Sequence, residues 1–335
     1  VAVELTRPQF ETNSRACTSL TDLRRNLLDL RAAAVREAAR RDQVLIAAGV
    51  SPLGQPVQPL TQQERYQRIA ASFGQLAREQ SVCGCHVHVE VPDRERGIAI
   101  INHLRPWLPT LLALTANSRV AHGGDTEYAS WRWLVWSRWP SAGSPPYFPD
   151  AASYEATVEM LLAAGAALDR KMLYWDVRMS EHLPTLEVRV SDSAATVDEA
   201  VLLASLARGL VTTALDAVER GEPAAAVDPA ELRVAMWRAA KDGLEGVAYD
   251  PVQGRALPAR EQLRRLRGHV DDALRELGDA DAVDDLVAGL LRRGSGAARQ
   301  LGAWSRRWDG RDVLDLLVEQ TAAEDGLRSA RVDPP

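Results

Sequence analysis

The segment Cys-Gly-Cys-His-Val-His-Val-Glu-Val, residues 83–91, decides the fold, because its side chains alternate strictly in character. Cysteine and valine take one set of alternate positions, while Gly84, His86, His88 and Glu90 take the other. Successive side chains of a β-strand point to opposite faces of the sheet. The alternation therefore predicts a strand with an apolar face and a polar face, as in an antiparallel sheet that is open on one side.

The polar face of this strand has more than one interpretation. Polar side chains belong on a solvated sheet face, which requires no ligand. His86, His88 and Glu90 are also residue types that hold zinc or non-haem iron. Their spacing alone does not decide between a solvated face, a transition-metal site and a face that binds phosphate.

A second alternating segment, Thr-Leu-Glu-Val-Arg-Val-Ser-Asp at residues 185–192, places Glu187 and Arg189 on one face of a predicted strand. The same acid-x-Arg spacing occurs in Trp-Asp-Val-Arg, residues 175–178, on a predicted neighbouring strand. Adjacent carboxylate and guanidinium groups can simply neutralise each other. They also suit a site that holds magnesium and phosphate together, because carboxylates bind the hard cation and arginines bind the anion. The repeat favours such a site, with Arg178 as a second candidate for binding the nucleotide phosphates.

Residues 125–148 form a segment that is rich in aromatic side chains and also contains arginine. Packing in a core explains most of its tryptophans. Aromatic rings beside arginines also bind single-stranded nucleic acid, but the chain has 40 basic against 46 acidic side chains and no basic stretch here. We expect instead a small substrate that carries a carboxylate, bound by Arg132 and Arg138 and walled by the indole of Trp136.

The composition of the 335-residue chain bounds its functional class. A net charge of -6 and a pI of about 5.6 argue against a protein that binds nucleic acid by bulk charge. We find no apolar run of about 20 residues, the length of a membrane helix. The three cysteines lack zinc-like spacing and indicate a reducing cytoplasm. Since only Lys171 and Lys241 are lysines and neither follows a Gly-rich loop, an anion site must use arginine.

The order of predicted elements indicates one catalytic domain over residues 1–335, of the α+β class with an antiparallel sheet. Strands and helices are mixed over residues 1–195, and residues 196–335 are mostly helical.

Three local signals predict particular elements. Residues 44–50 are a short apolar run and predict a buried strand. Thr61 and Glu64 have the spacing of a capping box at the start of a helix. Pro106 and Pro109 should kink or split a long apolar helix.

The chemistry-bearing segments, taken in order, resemble one family. The runs CGCHVHVEVPD and DTEYASWRWLVWSRWPSAGSPP, and WDVR followed by TLEVRVSD, are similar to the second-type glutamate–cysteine ligases, which are bacterial carboxylate–amine ligases. The resemblance covers roughly residues 3–321. It implies a fold like that of glutamine synthetase, in which helices pack outside a curved antiparallel sheet that forms a cup.

The resemblance also implies a reaction. Such an enzyme uses ATP with Mg²⁺ or Mn²⁺ to join the γ-carboxylate of glutamate to the amine of cysteine, or to another amine, through a γ-glutamyl phosphate. A free carboxylate is a poor electrophile, so the protein mainly positions groups and neutralises charge during its activation. The implied setting is cytoplasmic biosynthesis of a glutathione-type thiol from small molecules, with no nucleic acid or membrane partner. Whether the chain forms a homo-oligomer stays open.

Positions that match the family's motifs have the roles that the resemblance implies. Glu187 matches a strand glutamate that binds metal, and Arg189 matches its partner on the transferring phosphate, so both are candidate catalytic residues. Glu11 matches the glutamate of an early Gln-x-Glu strand and is a further candidate metal ligand. His86 or His88 matches a histidine near the metal or the substrate, and we favour His86 as the metal ligand.

Two departures from the family keep alternatives open. The family usually begins with a Gly-Val-Glu-Glu-Glu strand that supplies metal-binding glutamates, and we expect that strand to precede Val1. Glu90 stands where the family often has glycine. A transition-metal enzyme that uses His86, His88 and Glu90, and a non-catalytic relative that lacks the metal strand, are therefore the alternatives.

Overall fold

The computed structural model describes residues 2–322 as short strands interspersed with helices, which confirms the predicted mixture of helix and sheet. The described strands are β1 (Ala2–Val3), β2 (Phe10–Glu11), β3 (Gly84–Glu90), β4 (Val120–Ala121), β5 (Gly124–Asp125), β6 (Ala142–Gly143), β7 (Tyr174–Trp175), β8 (Val177–Met179), β9 (Thr185–Asp192), β10 (Val247–Asp250) and β11 (Arg255–Pro258).

Helices cover most of the remaining described chain. They are α1 (Leu20–Ala39), α2 (Glu64–Phe73), α3 (Gln75–Arg78), α4 (Arg94–Leu104), α5 (Leu108–Thr115), α6 (Trp131–Trp136), α7 (Ala151–Ala163), α8 (Val197–Glu219), α9 (Pro229–Asp242), α10 (Ala259–His269), α11 (Asp271–Glu276), α12 (Ala280–Arg293), α13 (Gly296–Arg307) and α14 (Gly310–Ala322).

Strands β3, β9 and β8 form an antiparallel sheet with β9 in the centre. Leu186, Val188 and Val190 of β9 are fully buried in the main apolar core, which also contains side chains of α4, α5 and α8. Glu187 and Arg189 alternate with these residues on β9, so the helices cover one face of the sheet and the predicted polar face lies on the other.

The long apolar helix after β3 is divided as its prolines predict. Helix α4 begins after Asp93, whose carboxylate accepts the N–H of Arg96, and ends at Leu104. The 3₁₀ turn Arg105–Trp107 then leads into α5. Pro106 lies in this turn, because proline has no N–H to donate to the preceding turn of an α-helix.

The prediction of a buried strand at residues 44–50 is wrong. Within this run, Val50 makes a single isolated antiparallel bridge to Val82. Val44 is 63% exposed, so the run does not enter the core as a whole. A short apolar run needs a neighbouring strand to form a ladder, and its sequence does not say whether one is there.

The predicted capping box is also wrong. The Thr61 hydroxyl donates to the main-chain oxygen of Glu4 at 2.6 Å, and α2 begins after Gln63 without a side-chain cap. A tertiary contact thus takes the hydroxyl that the local pattern assigns to the helix. It ties the start of the chain to the segment before α2.

The other described strands are paired in twos. The pairs β1–β2, β4–β5 and β10–β11 are antiparallel, and β6–β7 is parallel. These pairs are separate from the three-stranded sheet, so a single curved sheet forming a cup stays a prediction. The hairpin β10–β11 also interrupts the region predicted to be mostly helical. The expectation of one catalytic domain stays a prediction as well.

Helix α8 corrects one expectation from the sequence. It is long and apolar enough to cross a membrane by length and composition alone, although we expected no such run. In the fold, 56% of its most apolar 18-residue stretch is buried, and the helix packs against α1, α4, α11 and α12. Its apolar side chains therefore contribute to the core.

Candidate active site

A row of polar side chains crosses the open face of the three-stranded sheet. His88 of β3 and Arg178 of β8 both lie directly opposite Glu187 of β9. Directly opposed residues of antiparallel strands lie on the same face and contact each other. The register thus places one carboxylate between a histidine and an arginine.

An irregularity in the pairing of β3 and β9 adds Arg189 to this row. Cys85 lies opposite Ser191 and Val87 lies opposite Val188, so two residues of β9 face His86 alone. Such a β-bulge re-aims a side chain and is common beside active sites. Nη1 of Arg189 lies 3.4 Å from Nδ1 of His86.

Glu187 is the buried centre of the cluster. Its Oε2 accepts a hydrogen bond from Nε of Arg178 at 2.8 Å, and its Oε1 accepts one from Arg189. Burial alone would raise the pKa of Glu187, but the charges of Arg189 and Arg178 lower it to about 2. Glu187 is therefore a carboxylate throughout the physiological pH range.

The two histidines are uncharged near neutral pH. Burial, and then the charge of Arg189, lowers the pKa of His86 well below its usual value. Burial also lowers the pKa of His88, whose Nδ1 lies 2.9 Å from the hydroxyl of Thr185. Neutral imidazoles can accept a proton or bind a metal ion, which imidazolium cannot do.

Arg189 has a free hydrogen-bond donor. Its side chain is only 8% exposed, and its Nε is a buried donor without a partner in the described part of the chain. Arg178 is more fully used, because its Nη1 donates to the main-chain oxygens of Leu173 and Lys171 at 2.8 and 3.1 Å. Arg189 therefore retains more capacity to bind an anion than Arg178 does.

A second acidic group lies close to Arg189. Strands β1 and β2 pair so that Glu4, just after β1, hydrogen-bonds with Glu11 of β2. Burial, reinforced by this hydrogen bond and by the charge of Glu11, raises the pKa of Glu4 to about 7, while Arg189 opposes the rise. We call Glu4 and Glu11 the acid pair. Sequence patterns alone do not single out Glu4, although pairing residues 2–3 with 10–11 puts Glu4 on the same face as Glu11.

The predicted substrate arginines lie in different surroundings. Arg132 is fully buried, and its terminal nitrogens donate to the main-chain oxygens of Val190 and Arg189 at 3.2 and 3.3 Å. Arg138 forms an ion pair with Glu79 at 2.7 Å and is 41% exposed. The structure does not bring the two together, and their role in binding a substrate carboxylate stays a prediction.

Trp136 connects Arg132 to an aromatic cluster. The Arg132 guanidinium lies over its ring at 5.8 Å, and the ring contacts Tyr174 at a centroid distance of 4.5 Å. Its indole N–H donates to the main-chain oxygen of Tyr174 at 3.3 Å. Trp136 therefore packs against Tyr174 of β7, and its role as a wall for substrate stays a prediction.

The end of β9 is held by a separate polar group, which we call the hydroxyl node. The Asp192 carboxylate accepts the main-chain N–H of Asn117 at 2.8 Å and the hydroxyls of Ser118 and Ser130 at 2.7 and 2.8 Å. Burial raises the pKa of Asp192, against the charge of Arg132 and these hydrogen bonds. The node joins β9 to the segments before β4 and α6.

In the part of the chain that the structure describes, the side chains that could hold a metal ion do not converge on one point, apart from the acid pair. The described residues contain no group of three or more His, Cys, Asp and Glu side chains placed to hold a metal ion, so Glu11, Glu187 and His86 do not form such a group. The acid pair, however, joins two carboxyl groups through a proton, and such hard oxygen donors suit Mg²⁺. The residues of the acid pair thus fit the ion that the resemblance implies.

The cysteines contribute little to this chemistry. Burial raises the pKa of Cys83 to about 11, and its Sγ accepts a hydrogen bond from the Gln9 amide at 3.1 Å. Cys85 packs against the apolar core. A thiol with a raised pKa is a poor nucleophile at neutral pH.

A solved structure has a weak likeness to this fold. The Pup ligase PafA in complex with ADP superposes with a TM-score of 0.48 and 15% identity, covering 93% of this chain and 64% of that one. A likeness at this level carries no argument about the function of this protein.

Sequence relatives are much closer. The Nocardia farcinica protein named "Putative glutamate--cysteine ligase 2-1" is 50% identical over 96% of this chain and 83% of its own length. The Mycolicibacterium smegmatis "Putative glutamate--cysteine ligase 2-3" is 47% identical over 96% of this chain and 88% of its own length. The family profile described as Glutamate-cysteine ligase family 2 (GCS2) matches residues 1–324. These matches confirm the expectation of a ligase enzyme, and the chain belongs to glutamate–cysteine ligase family 2.

Proposed function

We propose that the protein is an ATP-dependent ligase that joins the γ-carboxylate of glutamate to the amine of cysteine through a γ-glutamyl phosphate. Membership of the family and the names of the relatives support this reaction. Buried Arg189, with its unpartnered Nε beside the ionised Glu187, is the structural observation that carries it. The three-stranded sheet would then form part of the cup of a glutamine synthetase-like fold.

The proposed role of Arg189 follows from its charge and position. A guanidinium that donates to a phosphoryl oxygen neutralises the negative charge that accumulates as the phosphate is transferred. Glu187 holds Arg189 in place and also offsets one of the two positive charges of Arg178 and Arg189 before substrate arrives. Because both groups are buried, their interaction is screened less than it would be in water.

Glu187 and Arg178 form the rest of the proposed phosphate-binding face. Arg178 is fixed by main-chain oxygens on one side and by Glu187 on the other, so it presents its charge without the need to reorganise. The neutral imidazole of His86, with Nδ1 3.4 Å from Nη1 of Arg189, is the proposed contact of this face with the metal ion or the substrate.

The acid pair is the proposed holder of Mg²⁺. When bound there, the ion would neutralise phosphate charge and orient the nucleotide. Glu4 and Glu11 would both ionise on binding it, because a cation removes the reason for sharing a proton. Glu187 lies on the same open face and is the proposed additional ligand.

The proposal is tested by product formation. Purified protein is incubated with ATP, Mg²⁺, glutamate and a panel of amines that includes cysteine, and ADP release is measured together with the mass of the product. We expect ADP release that depends on glutamate and γ-glutamylcysteine as the product with cysteine. Hydroxylamine should intercept the acyl phosphate as a hydroxamate. If no amine in the panel supports ADP release, the ligase reaction is refuted. If ADP is released only with an amine other than cysteine, the assignment of cysteine is refuted.

A further inference from the structure

A cleft of about 560 Å³ lies between the turn that joins α4 to α5, the hairpin β10–β11 and helix α10. Its volume falls in the range of small-molecule sites, about 300–1,000 Å³. None of its lining residues belongs to the cluster on the open sheet face or to the acid pair. The residues proposed for the ligase reaction therefore do not line this cleft.

The cleft contains a buried amide without a hydrogen-bond partner. Gln262 of α10 lines it and is only 5% exposed. Its Oε1 has no partner in the described part of the chain. Buried polar groups are normally hydrogen-bonded, and leaving one unpaired is costly. An unpaired amide that faces a cavity points to a ligand that supplies the missing partner.

An aromatic wall stands beside this amide. Trp107 and His269 stack with a centroid distance of 4.8 Å and an interplanar angle of 24°. Both residues line the cleft, and His103 lies there as well. Flat π faces of this kind accept another planar ring by offset stacking.

The charged groups of the cleft are already paired. Arg265 donates to Asp250 at 3.2 Å and to Glu261 at 3.4 Å. Burial lowers the pKa of both His103 and His269, so these imidazoles carry no charge near neutral pH. The cleft thus has no spare cation for a phosphate, which favours an uncharged ligand.

We propose that this cleft binds the adenine ring of an uncharged nucleoside. A glutamine amide can make two hydrogen bonds to adenine, with Oε1 accepting from N6 and Nε2 donating to N7. That pairing would satisfy Gln262, and the ring would stack on the outer face of the Trp107–His269 pair. The ribose would lie toward the exposed rim formed by Ala225 and Val252.

The test is a binding titration on the full chain. Adenosine is titrated calorimetrically into the wild-type protein, Gln262→Leu and Ala225→Trp, without ATP or glutamate. We expect saturable binding to the wild type, affinity at least about tenfold lower in Gln262→Leu because two hydrogen bonds are lost, and no binding to Ala225→Trp. Ala226→Trp is the matched control, because Ala226 is exposed next to the rim but does not line the cleft. It should bind adenosine like the wild type.

Two further results decide the proposal. AMP should bind more weakly than adenosine, since the cleft offers no free cation for its phosphate. The absence of saturable adenosine binding at millimolar concentration would overturn the proposal. Binding that is lost in Arg189→Ala but retained in both Gln262→Leu and Ala225→Trp would assign adenosine to the sheet face and would overturn it as well. No turnover is measured, so this outcome is independent of whether the ligase reaction is correct.

Discussion

Strand β9 buries two carboxylates that meet opposite environments. Glu187 is 5% exposed and Asp192 is 0% exposed, so both have lost most of their water. Glu187 is paired with the cations Arg178 and Arg189. Asp192 instead accepts hydrogen bonds from a main-chain N–H and two serine hydroxyls, all of them neutral donors.

The difference between the two carboxylates shows that one strand can carry both a group suited to binding a ligand and a group suited to stabilising the fold. Direct ion pairs lower the pKa of Glu187 to about 2, whereas burial raises the pKa of Asp192. Arg189 beside Glu187 keeps an unpartnered Nε in the described part of the chain, so that group is suited to binding phosphate. The donors around Asp192 belong to two segments distant from β9 in the chain, so that group is suited to holding the sheet in place.

The largest expected effect is the loss of turnover in Arg189→Ala. Removing the buried guanidinium takes away the charge proposed to stabilise the transferring phosphate, and we expect kcat to fall about 100- to 1,000-fold. The measurement is ADP release under saturating substrates, with circular dichroism to verify that the fold is retained. Arg275→Ala is the control, since Arg275 makes an exposed ion pair with Asp271, and its kcat should stay within about twofold. A folded Arg189→Ala enzyme with wild-type kcat would contradict the role of Arg189.

Asp192→Ala should chiefly reduce stability. It leaves the Asn117 N–H and two buried hydroxyls without their acceptor, and we expect the free energy of unfolding to fall by about 3 kcal/mol. Urea denaturation measures the loss. Asp284→Ala removes an exposed carboxylate that pairs with Arg267 and should cost less than about 1 kcal/mol. Equal losses in the two variants would show that the hydroxyl node does not hold the sheet.

Asp176→Asn should remove a pH dependence of the unfolding free energy that comes from the titration of a buried carboxylate. Burial raises the pKa of Asp176 from 3.8 to about 6, so the folded state keeps its proton to higher pH than the unfolded state. The contribution of Asp176 to stability therefore falls as pH rises through this window, by about 2 kcal/mol between pH 4 and pH 7. Glu187, with a lowered pKa, has the opposite sign and loses its contribution as pH falls below about 4.5.

The measurement for Asp176→Asn is the unfolding free energy of wild type and variant across this pH range. The variant lacks the titration, so the stability difference should shift in its favour as pH rises. Parallel curves for the two proteins would contradict the raised pKa.

The smallest expected effect concerns the packing of the hydroxyl node. A Cβ at Gly49 would lie 2.8 Å from Cγ of Asp192 and 3.0 Å from Cβ of Ser118, so Gly49→Ala should cost about 1 to 2 kcal/mol of unfolding free energy. Gly302 lies within helix α13 with open space around its Cα, and Gly302→Ala should leave stability unchanged or raise it by about 0.5–1 kcal/mol. Thermal denaturation of both variants measures this difference. A Gly49→Ala protein as stable as Gly302→Ala would show that the node tolerates displacement.

Several features of the site follow from local sequence. The two-residue period of β3 and β9 is a local property, so it was sufficient to place His88, Glu187 and Arg189 on the open face of a sheet. Pro106 likewise determines its helix boundary through its own missing N–H. Where a tertiary partner competes with the local signal, prediction fails, as it does for the Thr61 hydroxyl that donates to Glu4 instead of capping α2.

The sequence by itself thus determined the mixed class, the family and which face of each strand carries the charged residues. Only the tertiary structure decided that Glu4 hydrogen-bonds with Glu11, that a bulge places Arg189 against His86, and that Arg132 donates to main-chain oxygens. The physical reason is the range of the interactions involved. A side chain's face depends on the geometry of its own strand, whereas the pKa of a buried carboxylate depends on which donors distant segments bring to it, as Ser118 and Ser130 are brought to Asp192.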